Sequence, residues 1–475
     1  MSRNKNKKPQ PILTDLAITQ IAAEGKTIAR HPDGRVIFVE GGVPGDVVDV
    51  QVLKSKKDYV EAKVVTVKQA SPDRVTPFCT HFGVCGGCKW QQLDYPKQAA
   101  YKQQLTEEAF KRIGKLDFPP LLPIIAANPT QYYRNKLEFT FSNKRWLSKE
   151  DFNNGIPLEN RDALGFHIPG MFDKIVDIDH CYLQPDPSNQ IRNSVRQYAL
   201  EHQLSFYDVK QHTGFLRNLI VRTSTLGELM VIISFGENNA SEIENLLSFL
   251  LQQLPQITSL HYVVNLKLND TLFDQDIITY SGRGFIYEKL EGLRFKISPK
   301  SFFQTNTLQA LKLYQTTRSF AQLKPTDTVY DLYTGTGSIG IFVAKYCKKV
   351  VGIEEISAAI EDARYNAQLN GVENTHFYAG DVKKLLTQQL VAEHGTPDVL
   401  ITDPPRAGMH ADVVQTILDL APKRIVYVSC NPATQARDLQ LLSAKYDIIQ
   451  VQPVDMFPHT FHIENVAELY LKATN

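Results

Sequence analysis

The sequence predicts an α/β chain whose C-terminal part is a doubly wound, Rossmann-like parallel sheet, preceded by a small closed β-barrel and a mixed central region. Three observations predict this. From Gly292 onward, short apolar runs alternate with helical stretches: TVYDLY, IGIFVAKYC, KVVGIEE, SAAIEDARYNAQLN, THFYAGD, PDVLITDPP and RIVYVSC. From Thr14 to Lys68 the runs instead alternate at period two, as half-buried strands do. Between them a cluster of cysteines is followed by a helical segment, Tyr95 to Ile113, and several strands. The expected units are 1–70, 71–291 and 292–475.

Size and composition set the class. The chain has 475 residues, 43% of them hydrophobic, enough to bury more than one core. It has no apolar run long enough to span a bilayer, and MSRNKNKKPQ leads into no apolar signal region, so a cytoplasmic protein with no membrane partner is expected. A formal charge of +1 makes no case for nucleic acid by itself.

In the first unit, RVIFVEG and GDVVDVQVLKSKKDYVEAKVVTV are punctuated by Gly41-Gly42 and Pro44-Gly45, which predicts about five strands closing into an OB-like barrel of the kind that often binds oligonucleotides. Residues 1–68 hold 12 Lys or Arg against 8 Asp or Glu, with clusters at Arg3–Lys8 and Lys54–Lys57. Solvated loops explain such clusters equally well.

The second unit opens with Cys79-x5-Cys85-Gly-Gly-Cys88, and Cys181 follows in DIDHCYLQP. Four thiols in a reducing compartment point to a metal rather than to disulfides. Spacing alone leaves tetrahedral zinc and a cubane cluster equally open. The stretch Tyr132 to Trp146 interleaves Arg134, Lys136, Lys144 and Arg145 with aromatics, as a surface that stacks on unpaired nucleotides would, although an edge strand with core aromatics reads the same way. Cys347 is assigned to the core.

The third unit carries the chemistry. Asp331 ends a strand, and the turn that follows holds Gly335, Gly337 and Gly340, with Glu354 at the end of the next strand. A dinucleotide would fit the glycines, but a carboxylate at Asp331 repels a pyrophosphate and favours the ammonium of S-adenosylmethionine. Asp381, ending the following strand, could take an adenine amino group. Asp403-Pro404-Pro405-Arg406 stands where a target base would lie, and an arginine in place of an aromatic after the prolines disfavours methylation of an exocyclic amine. Cys430 ends the strand RIVYVSC on the same rim; a thiolate adding at C6 of uracil makes C5 nucleophilic. The C5 proton must then be removed, and Glu464, with His459 and His462 nearby, is the candidate base.

Taken together, SCNPATQARD, DPPRAG, FFQTN and FPHTFHIEN resemble the RNA uracil-5-methyltransferases, specifically the 23S ribosomal RNA (uracil-C5)-methyltransferases with an N-terminal TRAM domain. The resemblance covers almost the whole chain. It implies Cys430 as nucleophile and Glu464 as base, and S-adenosylmethionine contacts from Gln304, Tyr333, Ser338, Glu354, Asp381 and Asp403, the last also meeting the uracil edge. It implies a [4Fe-4S] cluster on Cys79, Cys85, Cys88 and Cys181, with RNA as partner and a second candidate RNA contact at His212–Arg217, where the family has a similar segment; a monomeric chain is expected. Many members carry cysteine at Thr334 and a basic residue at Ala407, neither with a chemical role. The same reaction on the T-loop of transfer RNA is the alternative. A nicotinamide-dependent oxidoreductase would leave SCNPAT, DPPR and HxE unexplained, and a non-catalytic RNA-binding protein would have no use for Cys430 and Glu464.

Overall fold

The computed structural model describes residues 11–147, 161–272 and 274–473. The basic cluster Arg3–Lys8 lies outside the described residues. Among them, no helix is long and apolar enough to cross a membrane.

The first sheet has six strands where the pattern suggested five: β1 (Ile12–Ala17), β2 (Gln20–Ile21), β3 (Thr27–Arg30), β4 (Val36–Glu40), β5 (Val47–Ser55) and β6 (Tyr59–Gln69), in the order β1-β5-β6-β4-β3-β2. The extra one, β2, is too short to show a period. Only Ile18 and Thr19 separate β1 from β2, so one bent run joins the two ends of the sheet and curls it into a barrel. Ile37, Val39, Val48, Val50, Val60 and Ala62 alternate into its core.

The central sheet holds β7 (Lys136–Ser142), β8 (Ala163–Ile168), β9 (Met171–Asp177), β10 (Leu216–Thr223), β11 (Leu229–Phe235), β12 (Ser259–Val264) and β13 (Ile278–Gly282), ordered β13-β12-β11-β10-β7-β8-β9. All pairs are antiparallel except β11 and β12, which the crossover helix Ala240–Gln253 connects. One face packs on that helix and on Ser188–Glu201; from the other, Ile220, Met230 and Ile232 join the core of the C-terminal part. A hairpin, β14 (Ile286–Leu290) and β15 (Leu293–Ile297), turns at Glu291 and Gly292, both at positive φ (47° and 90°).

The last sheet comprises β16 (Thr328–Leu332), β17 (Lys349–Glu354), β18 (Thr375–Ala379), β19 (Val399–Thr402), β20 (Arg424–Ser429), β21 (Tyr446–Val454) and β22 (Glu464–Leu471), in the order β18-β17-β16-β19-β20-β22-β21. The first five are parallel; β16, β17, β19 and β20 are buried on both faces and the edge strand β18 is partly exposed, while β22 runs antiparallel to β20 and β21. The order reverses between β16 and β19, and a crevice opens at the carboxyl ends of strands at such a point. The predicted helix from Tyr95 runs to Ala109, continues as a wider turn over Phe110–Gly114, and packs against the helix Pro432–Leu442.

Candidate active site

Every predicted donor-side residue except Gln304 lies at or just past the carboxyl end of a parallel strand or in the helix that follows. Tyr333 and the glycine turn follow β16, Glu354 ends β17, Asp381 follows β18, and Asp403 follows β19. The turn takes three consecutive odd positions into the left-handed region, Tyr333 at φ 63°, Gly335 at 57° and Gly337 at 75°. A Cβ at Gly337 would also approach Ala363 and Phe377 to 3.0 Å, and one at Gly352 would meet the Phe377 ring at 2.5 Å, so the glycines let the turn press onto its neighbours. Glu354 receives the Gly335 N–H at 3.2 Å and the Ile356 N–H at 3.0 Å. Asp381 caps the short helix Val382–Leu385 by accepting from Lys383 N–H. Ser338 opens the helix Ser338–Ala344, its hydroxyl 2.9 Å from that of Tyr314 on the helix Thr307–Ala321. Gln304 is buried just ahead of that helix, its carbonyl receiving the Asn135 amide at 2.9 Å.

Asp331 is buried beneath the turn and accepts from the Thr334 hydroxyl. Its other oxygen, Oδ1, is buried without a hydrogen-bond partner. Burial pushes this carboxyl up to about 7. An unpartnered buried carboxylate oxygen fits a cationic ligand group, such as the ammonium of S-adenosylmethionine, and would oppose a pyrophosphate.

The reactive side of the crevice is assembled from three segments. Cys430 follows β20 and immediately precedes the helix Pro432–Leu442, which Asn431 caps; the Asn431-Pro432 turn read in the sequence is thus a helix start, with Pro at its first position. Glu464 begins β22, and the pairing of Ser429 with Asn465 puts Glu464 beside Cys430. Gln435 holds this register by donating to the Tyr427 carbonyl (2.9 Å) while its amide oxygen receives Asn465 (2.6 Å). The Asp403–Gly408 loop is tied to the same helix, for the Arg406 carbonyl accepts from Asn431 and Thr434, each at 3.1 Å. Gly408, at φ 79°, sits so close that a Cβ there would lie 2.5 Å from Arg437.

Electrostatics couple these groups. Burial, then the charge of Asp331, pushes Asp403 up to about 7. Burial and then Asp403 raise Glu464 well above the ordinary carboxylate range, opposed by Arg406. Burial pushes the Cys430 thiol up to about 11, with Glu464 and Asp403 adding to the rise and Arg406 lowering it by charge and hydrogen bond. His462, lowered to about 4 by burial and then Arg406, and His459, lowered to about 4 by burial and then Lys102, are neutral imidazoles. Sequence reasoning noticed Arg406 only as a missing aromatic; its place against both Cys430 and Glu464 is a structural finding.

Cys79, Cys85, Cys88 and Cys181 line one cavity, together with His81, Gln91 and Tyr182. Burial pushes Cys85 up to about 12 and Cys88 to about 11, and raises Cys181 and Cys79. Among the described residues, no group of three or more His, Cys, Asp or Glu side chains is gathered so as to hold a metal ion. Cys347 is buried in the core just beyond the end of its predicted helix.

The expected RNA-facing stretches divide. Tyr133, Phe139 and Phe141 are core, whereas Tyr132 is exposed and Arg134 lies over the Phe457 ring at 5.3 Å. In the other stretch Arg217 is buried and donates to the carbonyls of Asn265, Lys267 and Asn269 and to Asp270. Its guanidinium is a clamp for the loop after β12 and is not available to a phosphate.

Comparison with known proteins agrees with this geometry. The model of the tRNA (uracil-5-)-methyltransferase family matches residues 227–473, and that of the TRAM domain matches residues 14–65. An uncharacterized RNA methyltransferase of Bacteroides thetaiotaomicron is 54% identical over 95% of this chain and 100% of its own length. One from Chlorobaculum tepidum is 42% identical over 96% of this chain and 95% of its own. Among solved structures, the tRNA (uracil-54, C5)-methyltransferase of Pyrococcus abyssi in complex with S-adenosyl-L-homocysteine superposes with a TM-score of 0.72 and 28% identity, covering 96% of this chain and 100% of that one.

Proposed function

We propose, from the premise that this chain belongs to the tRNA (uracil-5-)-methyltransferase family and is an S-adenosylmethionine-dependent transferase acting on RNA, that it forms 5-methyluridine through a covalent bond between Cys430 and C6 of the target base. The observation that carries this reading is the pairing of Ser429 with Asn465, which sets a thiol and a carboxyl side by side on one rim.

Each residue then has a task. S-adenosylmethionine, when bound, supplies an electrophilic methyl group on a cationic sulfur. Asp331 meets its ammonium, and Glu354, Asp381, Tyr333, Ser338, Gln304 and Asp403 line the rest of its pocket. Cys430 loses its proton and adds as thiolate to C6, moving the C5=C6 electron pair toward C5 and O4. Carbon C5 takes the methyl group, and S-adenosylhomocysteine leaves. Glu464 as carboxylate removes the C5 proton; the electron pair restores C5=C6 and the C6–S bond breaks, returning the thiolate. Asp403, raised to about 7, retains a proton that it can donate to a uracil carbonyl. The target must leave its stack to reach Cys430, at a cost of a few kcal/mol that contacts elsewhere offset.

The substrate is 23S ribosomal RNA, a reading supported by the TRAM match together with the cysteine quartet. Similarity to the Pyrococcus abyssi enzyme favours a second reading, the T-loop uridine of transfer RNA. Cys79, Cys85, Cys88 and Cys181 hold a [4Fe-4S] cluster, a reading supported by the one cavity that all four line. Thiols raised by burial would lose their protons there only to a cationic centre.

Two substitutions test the mechanism on transcripts of both RNAs. Cys430→Ala should transfer no methyl group and form no adduct. Glu464→Gln should methylate C5 and then stall as a labelled protein–RNA adduct on a denaturing gel. Turnover by Cys430→Ala would end the uracil-C5 mechanism, and wild-type release by Glu464→Gln would end the base assignment. Wild-type protein isolated without oxygen should hold about four irons per chain; one zinc and no iron would replace the cluster reading.

A further inference from the structure

Residues flanking two of the four cysteines meet His459, five positions before Glu464, and a neighbour of a third packs on one of them. Phe78, which precedes Cys79, sets its ring edge-on to that of His459 (centroids 5.0 Å apart) and to that of Tyr182, which follows Cys181 (5.2 Å). Lys89 and Trp90, which follow Cys88, both donate their backbone N–H to the His459 carbonyl, at 2.8 and 3.1 Å. From the helix Tyr95–Ala109, the Gln98 oxygen accepts the His459 N–H at 2.8 Å. The Gln98 amide nitrogen lies 3.1 Å from Nδ1 of the imidazole and donates to the carbonyls of Trp90 and Leu93.

His459 holds φ at 64°, a left-handed conformation that a residue other than glycine keeps only when its surroundings over-determine it. Here those surroundings are the cysteine loop and Gln98. Between His459 and β22 the chain is held again: Thr460 donates to the Phe457 carbonyl and accepts from His462 N–H, and Phe461 packs with Trp90, Ile21 and Val43, joining the barrel to the same segment. The donor-side residues Glu354 and Asp381 end β17 and follow β18, on the opposite side of the sheet from β20 and β22.

We propose that His459 is a positioning residue through which the order of the cysteine loop sets the carboxylate of Glu464, so that the loop governs the proton-abstraction step and not donor binding. This rests on Glu464 being the base. The chemistry is unchanged: the C5 proton passes to Glu464 and the C6–S bond breaks, but only when the segment holds the carboxylate in reach of C5.

The test uses full-length protein, labelled S-adenosylmethionine and whichever of the two transcripts the wild type methylates. His459→Ala should accumulate methylated protein–RNA adduct at least about tenfold above wild type, because small misplacements of a catalytic group carry penalties of that order. KM for S-adenosylmethionine should stay within about twofold. His459→Asn should restore turnover, since asparagine tolerates the left-handed region and presents a polar atom near Gln98. Should His459→Ala fail to fold, Gln98→Ala carries the same expectation. Cys88→Ala should stall in the same way and speed hydrogen exchange at the amides of Thr460–Ile463. Slow turnover without adduct in His459→Ala, when Glu464→Gln does accumulate it, overturns the proposal and leaves the base in place. No adduct in either removes the base assignment and the proposal with it. Unchanged exchange at Thr460–Ile463 in Cys88→Ala also overturns it.

Discussion

The rim of the parallel sheet and the segment Asp455–Ile463 meet at the same crevice but are built in different ways. On the rim, the proposed site residues Tyr333, Glu354, Asp381, Asp403 and Cys430 end a parallel strand or follow it by one or two residues, and turns or helix caps lie beside them. Glu354 binds Gly335 and Ile356, and Asn431 caps its own helix. The segment has short local turns at Asp455–Phe457 and Phe457–Thr460, but most of its anchors come from distant parts of the chain. Asp455 is held by Lys102 (2.6 Å) and Tyr95 (3.0 Å), Met456 by Asn306 (3.0 Å), Pro458 by Tyr133 (3.0 Å) and His459 by Gln98, Lys89 and Trp90. Apart from Gln304, donor-side geometry is therefore a property of one sheet and the turns and helices that follow its strands, whereas the placement of the proposed base depends on the whole chain being folded around it.

Breaking the segment at its anchor should produce the largest effect. Lys102 and Asp455 are both fully buried and pair at 2.6 Å, and Asp455 also receives the Phe457 N–H. Removing one partner strands a charge, at a cost of about 3–5 kcal/mol, while replacing both by apolar groups is often neutral. Asp455→Ala should lower the melting midpoint by on the order of 10 °C, and the double variant Lys102→Met/Asp455→Leu should recover much of the loss. Calorimetry on the three proteins checks this; equal midpoints for Asp455→Ala and wild type would mean that the segment is not held from outside.

The same contrast explains what the sequence could and could not reveal. Asp331, Asp403 and Cys430 were legible because a polar residue capping an apolar run of strand length is a local signal. Glu464 was legible as the start of a late strand. Gln304 carries no local signal: its placement depends on Asn135, from the loop before β7, and only family resemblance pointed to it. Lys102 and Gln98 lie in a helix whose sequence is largely polar, and composition would put both in water; they are buried because the segment's carboxylate and backbone groups bind them. Arg217 misled in the opposite sense: resemblance marked its segment as an RNA contact, and only the loop carbonyls it satisfies show that its guanidinium is buried. The barrel's second strand escaped because two residues cannot show a period.

On the rim, the sharpest test is Asp331→Asn. The substitution keeps an acceptor for Thr334 but turns the unpartnered position from anion to neutral amide. A hydrogen bond to a charged group contributes about 1.5–3 kcal/mol, so affinity for S-adenosylmethionine should fall about 10- to 100-fold. Stability without the donor should move the other way. The folded value of about 7 lies above the ordinary 3.8, so the native carboxyl opposes folding once pH exceeds its unfolded value, and does so fully above the folded one. Asp331→Asn should therefore melt at or above the wild-type temperature at pH 8. Titration calorimetry with S-adenosylmethionine and a melting curve give the two readings. Loss of stability together with affinity would mean that Asp331 merely braces the glycine turn.

The smallest expected effect concerns Arg406, which belongs to the rim by sequence and acts on both sides of the crevice. Burial, Glu464 and Asp403 hold the Cys430 thiol at about 11, and burial with Asp403 holds Glu464 high; Arg406 opposes both shifts. Both reactive forms are the deprotonated ones, so single-turnover rate should rise with pH through the neutral and mildly alkaline range, by up to about tenfold per unit while the thiolate is scarce. Removing the cation makes each proton harder to lose. At neutral pH Arg406→Gln should therefore react about tenfold more slowly, and its profile should lie at higher pH and approach the wild-type rate as pH is raised. Because Arg406 influences the thiolate and the carboxylate alike, adduct formation and adduct release should slow together, in contrast to Glu464→Gln, which should slow release alone. A pH-independent deficit in Arg406→Gln would show that the side chain holds RNA and does not tune the two titrating groups.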